Sequence, residues 1–91
     1  MKATIWKYAL EVVDEQMIDM PMGAQVLSVQ VQHGVPCLWV RCNPDAQTAP
    51  VRVVTVGTGH PAEIGYSMQF IGTYQLLGGN FVGHVFVQTP W

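Results

Sequence analysis

Hydrophobic side chains recur at every second residue along most of the chain. In residues 24–32, AQVLSVQVQ, this pattern places Leu27, Val29 and Val31 on one face and polar residues on the other. A period of two residues is that of a β-strand with one buried face, because successive side chains of a strand point to opposite sides. The sequence therefore predicts a fold built from strands.

Turn-forming residues divide this pattern into seven predicted strands, at residues 4–12, 16–20, 24–32, 37–42, 51–56, 68–77 and 81–88. Glycine-containing linkers at 33–36 and 78–80 predict two hairpins. Strands with one polar and one apolar face are typical of antiparallel sheets rather than of buried parallel ones. We predict one all-β domain spanning residues 1–91, a small antiparallel sandwich, roll or partly open barrel.

The charge content is low for a domain of this size. Only 11% of the residues are charged and 49% are hydrophobic, whereas soluble domains carry about 25% charged residues. So few charges leave apolar surface that one copy does not cover, and large exposed apolar patches are uncommon on monomers. We therefore predict that the chain forms a homo-oligomer.

The basic residues are few, which limits the classes of partner. The net charge is −2, and the four basic residues are Lys2, Lys7, Arg41 and Arg52. Four cations do not make the basic stripe that binds duplex nucleic acid. No stretch approaches the ~20 apolar residues that cross a bilayer, and the N-terminus lacks the apolar run of a signal peptide. We expect neither duplex nucleic acid nor a membrane as a partner.

Two cysteines, Cys37 and Cys42, are five residues apart. On a single strand, residues separated by an odd number face opposite sides, so these two thiols cannot form a disulfide with each other. We predict that both are reduced thiols of a cytoplasmic protein.

A strand-like run stops at a glycine-rich turn within residues 54–61, VTVGTGHP. Glycines on both sides of Thr58 let backbone N–H groups converge on one point, where a phosphate or a carboxylate can bind. Thr58 adds a hydroxyl group and His60 adds a titratable donor. The alternative interpretation is that Gly57 and Gly59 only supply turn conformations, since neither GxxxxGK[ST] nor a GxGxxG motif is present.

Two arginines and two aromatic residues complete the predicted ligand site. Trp39 and Arg41 are two residues apart in CLWVRC and so share a face, and a ring beside a cation suits purines and phosphates. The predicted binding residues are Trp39, Arg41, Arg52, Gly57, Thr58, Gly59, His60 and Tyr74. The alternatives are a core Trp39 beside a peripheral Arg41, an Arg52 that points to solvent, and a Tyr74 that belongs to the core or to an interface.

The sequence lacks motifs for catalysis and for metal binding. Neither serine lies in GxSxG, and neither cysteine has an adjacent base. The histidines His33, His60 and His84 are far apart, unlike the short spacings of zinc ligands. His84 is expected to be half-buried and hydrogen-bonded. We predict a protein without enzymatic activity, bound metal or cofactor.

Four blocks of the sequence carry a resemblance: TIWKYALEV, VLSVQVQHGVPCLWV, VGTGHP and FIGTYQLLGGNFVGHVFV. In this order and spacing they resemble a family of small uncharacterised proteins of bacteriophages and prophages, over nearly the whole chain. The resemblance implies a phage protein in the cytoplasm of an infected bacterium. With the residues above, it predicts capture of a nucleotide-derived, phosphate-bearing host signal without cleavage. The alternative is a protein-interaction module, such as a virion part or an inhibitor of a host protein.

Overall fold

The computed structural model describes residues 2–91 and contains seven β-strands. The strands are β1 Thr4–Ala9, β2 Glu15–Pro21, β3 Gln25–Gln32, β4 Val35–Cys42, β5 Thr48–Gly57, β6 Gln69–Leu76 and β7 Phe81–Gln88. The predicted all-β class and the number of strands are confirmed. A single 3₁₀ turn, Leu77–Gly79, joins β6 to β7. No helix in this described part of the chain is long and apolar enough to cross a membrane.

The strands form two antiparallel sheets. Three strands make one sheet in the order β1-β4-β3, and four make the other in the order β2-β5-β7-β6. The apolar faces of the two sheets meet in a common core, and β3 lies against β6 where the sheets adjoin. Since no ladder joins the sheets within residues 2–91, the fold is an open sandwich rather than a closed barrel.

The core consists of inward-facing residues from both sheets. Its fully buried members are mostly β-branched, which suits side chains that pack on a pleated surface. The buried set is Leu10, Met20, Ala24, Val26, Val29, Leu38, Val40, Cys42, Val51, Val53, Tyr74, Val85 and Val87. In β4 and β5 these residues alternate with outward-facing ones, as the sequence pattern predicts.

A β-bulge in β3 changes which residues of that strand are buried. The register of β3 on β4 shifts between Val26 and Ser28. Val26 is 5% exposed and Leu27 is 44% exposed, so the predicted grouping of Leu27 with Val29 and Val31 on the core face is wrong. The extra residue of a bulge reverses the facing of the residues on one side of it. A second bulge lies in β6, between Phe70 and Gly72.

The turn between β3 and β4 has the backbone geometry that a two-residue hairpin requires. His33 and Gly34 have φ angles of 51° and 78°. Positive φ at both central residues defines the type I′ turn, whose twist matches that of the flanking strands. The predicted hairpin at 33–36 is therefore confirmed, with the turn confined to His33 and Gly34.

Candidate functional site

The turn after β5 is held together by its own hydrogen bonds. The His60 N–H donates to the Gly57 carbonyl oxygen at 3.0 Å, and the Thr58 N–H donates to the Val82 carbonyl oxygen at 3.3 Å. Gly59 has a φ of +81°, which favours glycine. A Cβ on Gly57 would lie 2.8 Å from His60 Nδ1. Because these N–H groups already have acceptors, the geometry favours the interpretation of 57–60 as a structural turn.

His84 anchors this turn to the four-stranded sheet. Its Nε2 lies 2.7 Å from Thr58 Oγ1, and its Nδ1 lies 2.9 Å from Thr73 Oγ1. A hydroxyl both donates and accepts, so either neutral tautomer of the imidazole satisfies both contacts. His84 is half-buried, so the expectation of a half-buried, hydrogen-bonded histidine is confirmed, and the Thr58 hydroxyl is engaged within the fold.

A cleft of about 240 Å³ lies beside Arg52. We call it the Arg52 cleft; its lining residues include the predicted Arg52, Gly57 and His60, and also Asp14, Glu15 and Glu63. Arg52 Nε donates to Glu15 Oε1 at 2.6 Å, and Nη2 lies 3.3 Å from Glu15 Oε2. This hydrogen bond lowers the pKa of Glu15 and raises the pKa of Arg52. With three carboxylates around one paired guanidinium, the cleft is unfavourable for an anion.

The ion pair gives a pH-dependent contribution to stability that Glu15→Gln should remove. Because the folded pKa of Glu15 is below its ordinary value of 4.5, the contribution is present above that pH and is lost as the pH falls through the folded pKa. We expect the urea midpoint of Glu15→Gln to be lower than that of the wild type near neutral pH and to converge with it in acid. Urea titrations across this range measure the difference.

Glu11→Gln is the matched control for this prediction, because it removes one carboxylate that is not in an ion pair with Arg52. If Glu11→Gln and Glu15→Gln changed the urea midpoint equally at every pH, the effect would be one of net charge and the pairing argument would be wrong.

A larger open pocket, of about 520 Å³, lies at the end of the three-stranded sheet. We call it the Arg41 pocket; its lining residues are Ala3, Met22, Gly23, Gln25, Arg41, Cys42 and Asn43. The Arg41 guanidinium donates to Gln25 Oε1. No carboxylate is among the described residues that line it. The pocket therefore combines one positive charge, two side-chain amides and an apolar floor.

Trp39 and Arg41 share the outer face of the three-stranded sheet, as predicted. In the ladder with β1, Trp39 lies opposite Lys7 and Arg41 lies opposite Ile5. Trp39 is half-buried and Arg41 is exposed. Lys7 Nζ donates to Gln32 Oε1 at 2.8 Å, so the lysine side chain crosses β4 on this face. The face thus carries the Trp39 ring two residues from Arg41, whereas the Lys7 ammonium is held at the other end of β3.

Tyr74 does not belong to either pocket. Its side chain is 3% exposed in the core, and burial raises its pKa. Its ring packs at 6.0 Å from the ring of Phe81, so it is not available to stack on a ligand within one copy of the chain. In one copy of the chain Tyr74 is therefore a core residue, the alternative to a stacking role.

The two cysteines lie on opposite faces of β4, as predicted from their separation. Cys42 faces the core, whereas Cys37 lies on the side of Trp39 and Arg41. Both are free thiols and both are buried. Burial raises the pKa of the Cys42 thiol, which lowers its reactivity as a nucleophile. Among residues 2–91, no three histidine, cysteine or acidic side chains converge in a way that could hold a metal ion.

The predicted site residues thus occupy three separate places. Arg52, Gly57 and His60 line one cleft, Arg41 lines another pocket with Trp39 on the adjoining face, and Tyr74 is in the core. Sequence reasoning missed Gln25, Asn43 and the Met22–Gly23 turn as neighbours of Arg41. The tight turn at 21–24, with the Ala24 N–H donating to the Pro21 carbonyl oxygen at 3.0 Å, is what brings β2 and β3 to this position; Pro21 and Gly23 were its sequence signal.

Fold and pocket together define a small, open β-sandwich with a cationic pocket at one end of its three-stranded sheet. The chain belongs to the DUF7352 family, a domain of unknown function whose family model matches residues 1–90. No curated protein and no solved structure matches the chain.

Proposed function

We propose that this protein is a non-enzymatic binding protein that captures a small, phosphate-bearing, nucleotide-derived molecule without cleaving it. The observation that carries the proposal is the Arg41 pocket, which holds an arginine with no carboxylate among its described lining residues. Arginine offers a planar set of donors that matches phosphate oxygens, and it remains charged at all physiological pH values.

The dimensions and chemistry of the pocket suit a nucleotide-sized ligand. Its volume of about 520 Å³ lies within the range of roughly 300–1,000 Å³ that small-molecule sites span. Gln25 and Asn43 supply amide donors and acceptors, and Met22 and Ala3 supply apolar surface. Trp39, on the adjoining face, offers a ring on which a base can stack. The phosphate, the polar edges and the base of a nucleotide therefore each have a chemical counterpart among these residues.

Charge distinguishes this pocket from the Arg52 cleft. Arg52 is paired with Glu15, and Asp14 and Glu63 line the same cleft. A phosphate entering there would have to displace a carboxylate from Arg52 and approach two others. We therefore assign the ligand to Arg41 and give Arg52 and the 57–60 turn a structural role.

Calorimetric titration of a nucleotide panel that includes linear and cyclic dinucleotides tests this proposal. We expect Arg41→Gln to lower the affinity for the bound nucleotide by about 10–100-fold, the equivalent of one charge-assisted hydrogen-bond pair. Arg52→Gln, which removes the other guanidinium, is the matched control and should bind like the wild type. Absence of binding across the panel, or equal losses in both variants, would contradict the proposal, and cleavage products after incubation would replace it with an enzymatic one.

The phage resemblance supplies the biological setting of the proposal. A small phage protein that binds a nucleotide in the cytoplasm of its host would remove a signal on which antiviral defence depends. Counter-defence by sequestration requires affinity and abundance but no catalytic residues. Mass spectrometry of ligand released from protein expressed in defence-active cells would identify the signal; release of no nucleotide from such protein would contradict this setting.

A second candidate, a protein-interaction module, is favoured by the amount of exposed apolar surface. The large hydrophobic residues that are exposed are Ile5, Trp6, Val12, Val13, Met17, Met22, Leu27, Val31, Val35, Ile64, Tyr66, Phe70, Leu77 and Trp91. Large exposed apolar patches mark interaction sites. A stoichiometric host protein recovered with the chain, without a retained small molecule, would favour this candidate over ligand capture.

A further inference from the structure

Strand β1 is the outer strand of the three-stranded sheet and is poorly covered on both faces. Ile5, on the outer face, is 53% exposed, and Trp6, on the core side, is 39% exposed. Of the six residues of β1, only Tyr8 is half-buried; the other five are exposed. Monomeric proteins usually protect a sheet edge with charges, proline or a covering loop. Here the edge carries large apolar side chains and a single charge, Lys7.

The hydrogen-bonding pattern shows which backbone groups of this edge are open. The Leu10 N–H donates to the Pro36 carbonyl oxygen at 2.8 Å, so Leu10 points toward β4. In an antiparallel ladder, alternate residues direct both backbone groups to the same side. Ile5, Lys7 and Ala9 therefore direct their N–H and C=O groups away from β4, to a side where the described residues place no strand. Such a row is a template for another strand.

We propose that β1 pairs antiparallel with β1 of a second copy, around a two-fold axis at Trp6, to form a continuous six-stranded sheet. A two-fold axis perpendicular to the sheet keeps corresponding faces on the same side, so a residue on the axis lies opposite its own counterpart. The residue on the axis therefore determines which residues lie opposite each other along the whole ladder between the two β1 strands.

Length and charge select Trp6 as the central residue. Only axes at Trp6 or Lys7 allow five residues of Thr4–Ala9 to pair; axes at other strand residues give three or fewer. An axis at Lys7 would place two lysines directly opposite each other, which is destabilising. An axis at Trp6 places Ile5 opposite the partner's Lys7, an apolar residue beside a lysine rather than two like charges. Trp6 then meets the partner's Trp6 in a non-hydrogen-bonded pair, the closer kind, at a Cα separation of about 4.5 Å.

A five-residue edge buries less area than a standard interface, so we expect a dimer that dissociates on dilution. Sedimentation velocity over a dilution series of the full chain measures this. The wild type should shift from dimer to monomer on dilution, whereas Trp6→Arg, which places two cations on the axis, should remain a monomer. Leu27→Arg is the matched control, because it changes an equally exposed apolar residue on another strand and should dimerise like the wild type.

Disulfide trapping tests the register. A Cα separation of about 4.5 Å is within the range of disulfides, so Trp6→Cys should give a covalent dimer on mild oxidation. Lys7→Cys should not, because its counterpart lies two residues away along the partner strand. A wild type that stays monomeric at high concentration, a Trp6→Arg dimer, or trapping of Lys7→Cys in place of Trp6→Cys would each overturn the proposal. Trp6 is not in the ligand site, so loss of the dimer and loss of ligand binding are separate results.

Discussion

Replacing Leu38 with alanine is expected to lower the free energy of unfolding by about 2–5 kcal/mol, the range for leucine-to-alanine changes in packed cores. Leu38 is fully buried at the centre of β4, and it lies between Tyr8 of β1 and Val29 of β3 in the ladder. The cost has two parts: the apolar area returned to water and the cavity that neighbours on both sides cannot close. In a domain with a total stability of about 5 kcal/mol, the upper end of this range leaves about half of the molecules unfolded.

Leu27→Ala is the matched control for Leu38→Ala. It is the same chemical change in the neighbouring strand, but the bulge places Leu27 outside the core, where it is 44% exposed. We expect its effect to be less than about 1 kcal/mol. Chemical denaturation of each variant measures its free energy of unfolding. The two values are comparable if the variants have equal m-values. Equal losses would mean that Leu27 is a core residue and that β3 is regular.

Gly83→Ala is expected to lower the free energy of unfolding by about 1–3 kcal/mol, because it overpacks the core. Gly83 lies opposite Tyr74 in the β6–β7 ladder. A Cβ there would lie 2.9 Å from Tyr74 Cζ and 3.0 Å from Thr55 Cγ2. Neither atom is the end of a flexible chain: the tyrosine ring is held in the core, and Thr55 is buried on β5. For a domain of this length, each kcal/mol corresponds to roughly 4–8 °C of Tm.

Gly65→Ala provides the comparison for Gly83→Ala, since the nearest atom to its added Cβ is Ser67 Oγ at 3.8 Å. Thermal unfolding followed by circular dichroism should show a large fall in Tm for Gly83→Ala and little change for Gly65→Ala. The combination of Gly83→Ala with Tyr74→Leu should recover part of the loss, because the smaller side chain makes room for the methyl group. A Gly83→Ala protein as stable as the wild type would show that β6 can move away from β7.

Much of the fold was predictable because buried and exposed side chains alternate along a strand, which gives the sequence a hydrophobic period of two residues. In β4, the sequence places Leu38, Val40 and Cys42 on one face, and the structure buries all three in the core. The failure at Leu27 has a physical reason: a bulge adds one residue without a strong sequence signal, and one residue is enough to exchange the two faces. Periodicity therefore predicts where strands lie better than it predicts which of their residues face the core.

The candidate site was less predictable because its contacts join distant parts of the chain. The alternation places Trp39 beside Arg41, but nothing local indicates that Met22, Gly23 and Gln25 line the same pocket as Arg41. Likewise, Arg52 looks unpaired in its own strand, and the pairing of β2 with β5 is what brings Glu15 to it. Tyr74 is buried because it faces the core from β6 and packs on Phe81.

The irregularities in β3 and β6 bear on how far these molecules can assemble. Both strands carry a bulge, they lie against each other, and an added Cβ on Gly72 would come within 3.0 Å of Val29 Cγ1. At the far edge of the four-stranded sheet, β2 presents the exposed carboxylates of Glu15 and Asp19, residues that discourage further strands from adding. A dimer through β1 would cover that edge in both copies, so further growth would have to use β2, β3 or β6, strands that carry charges or bulges.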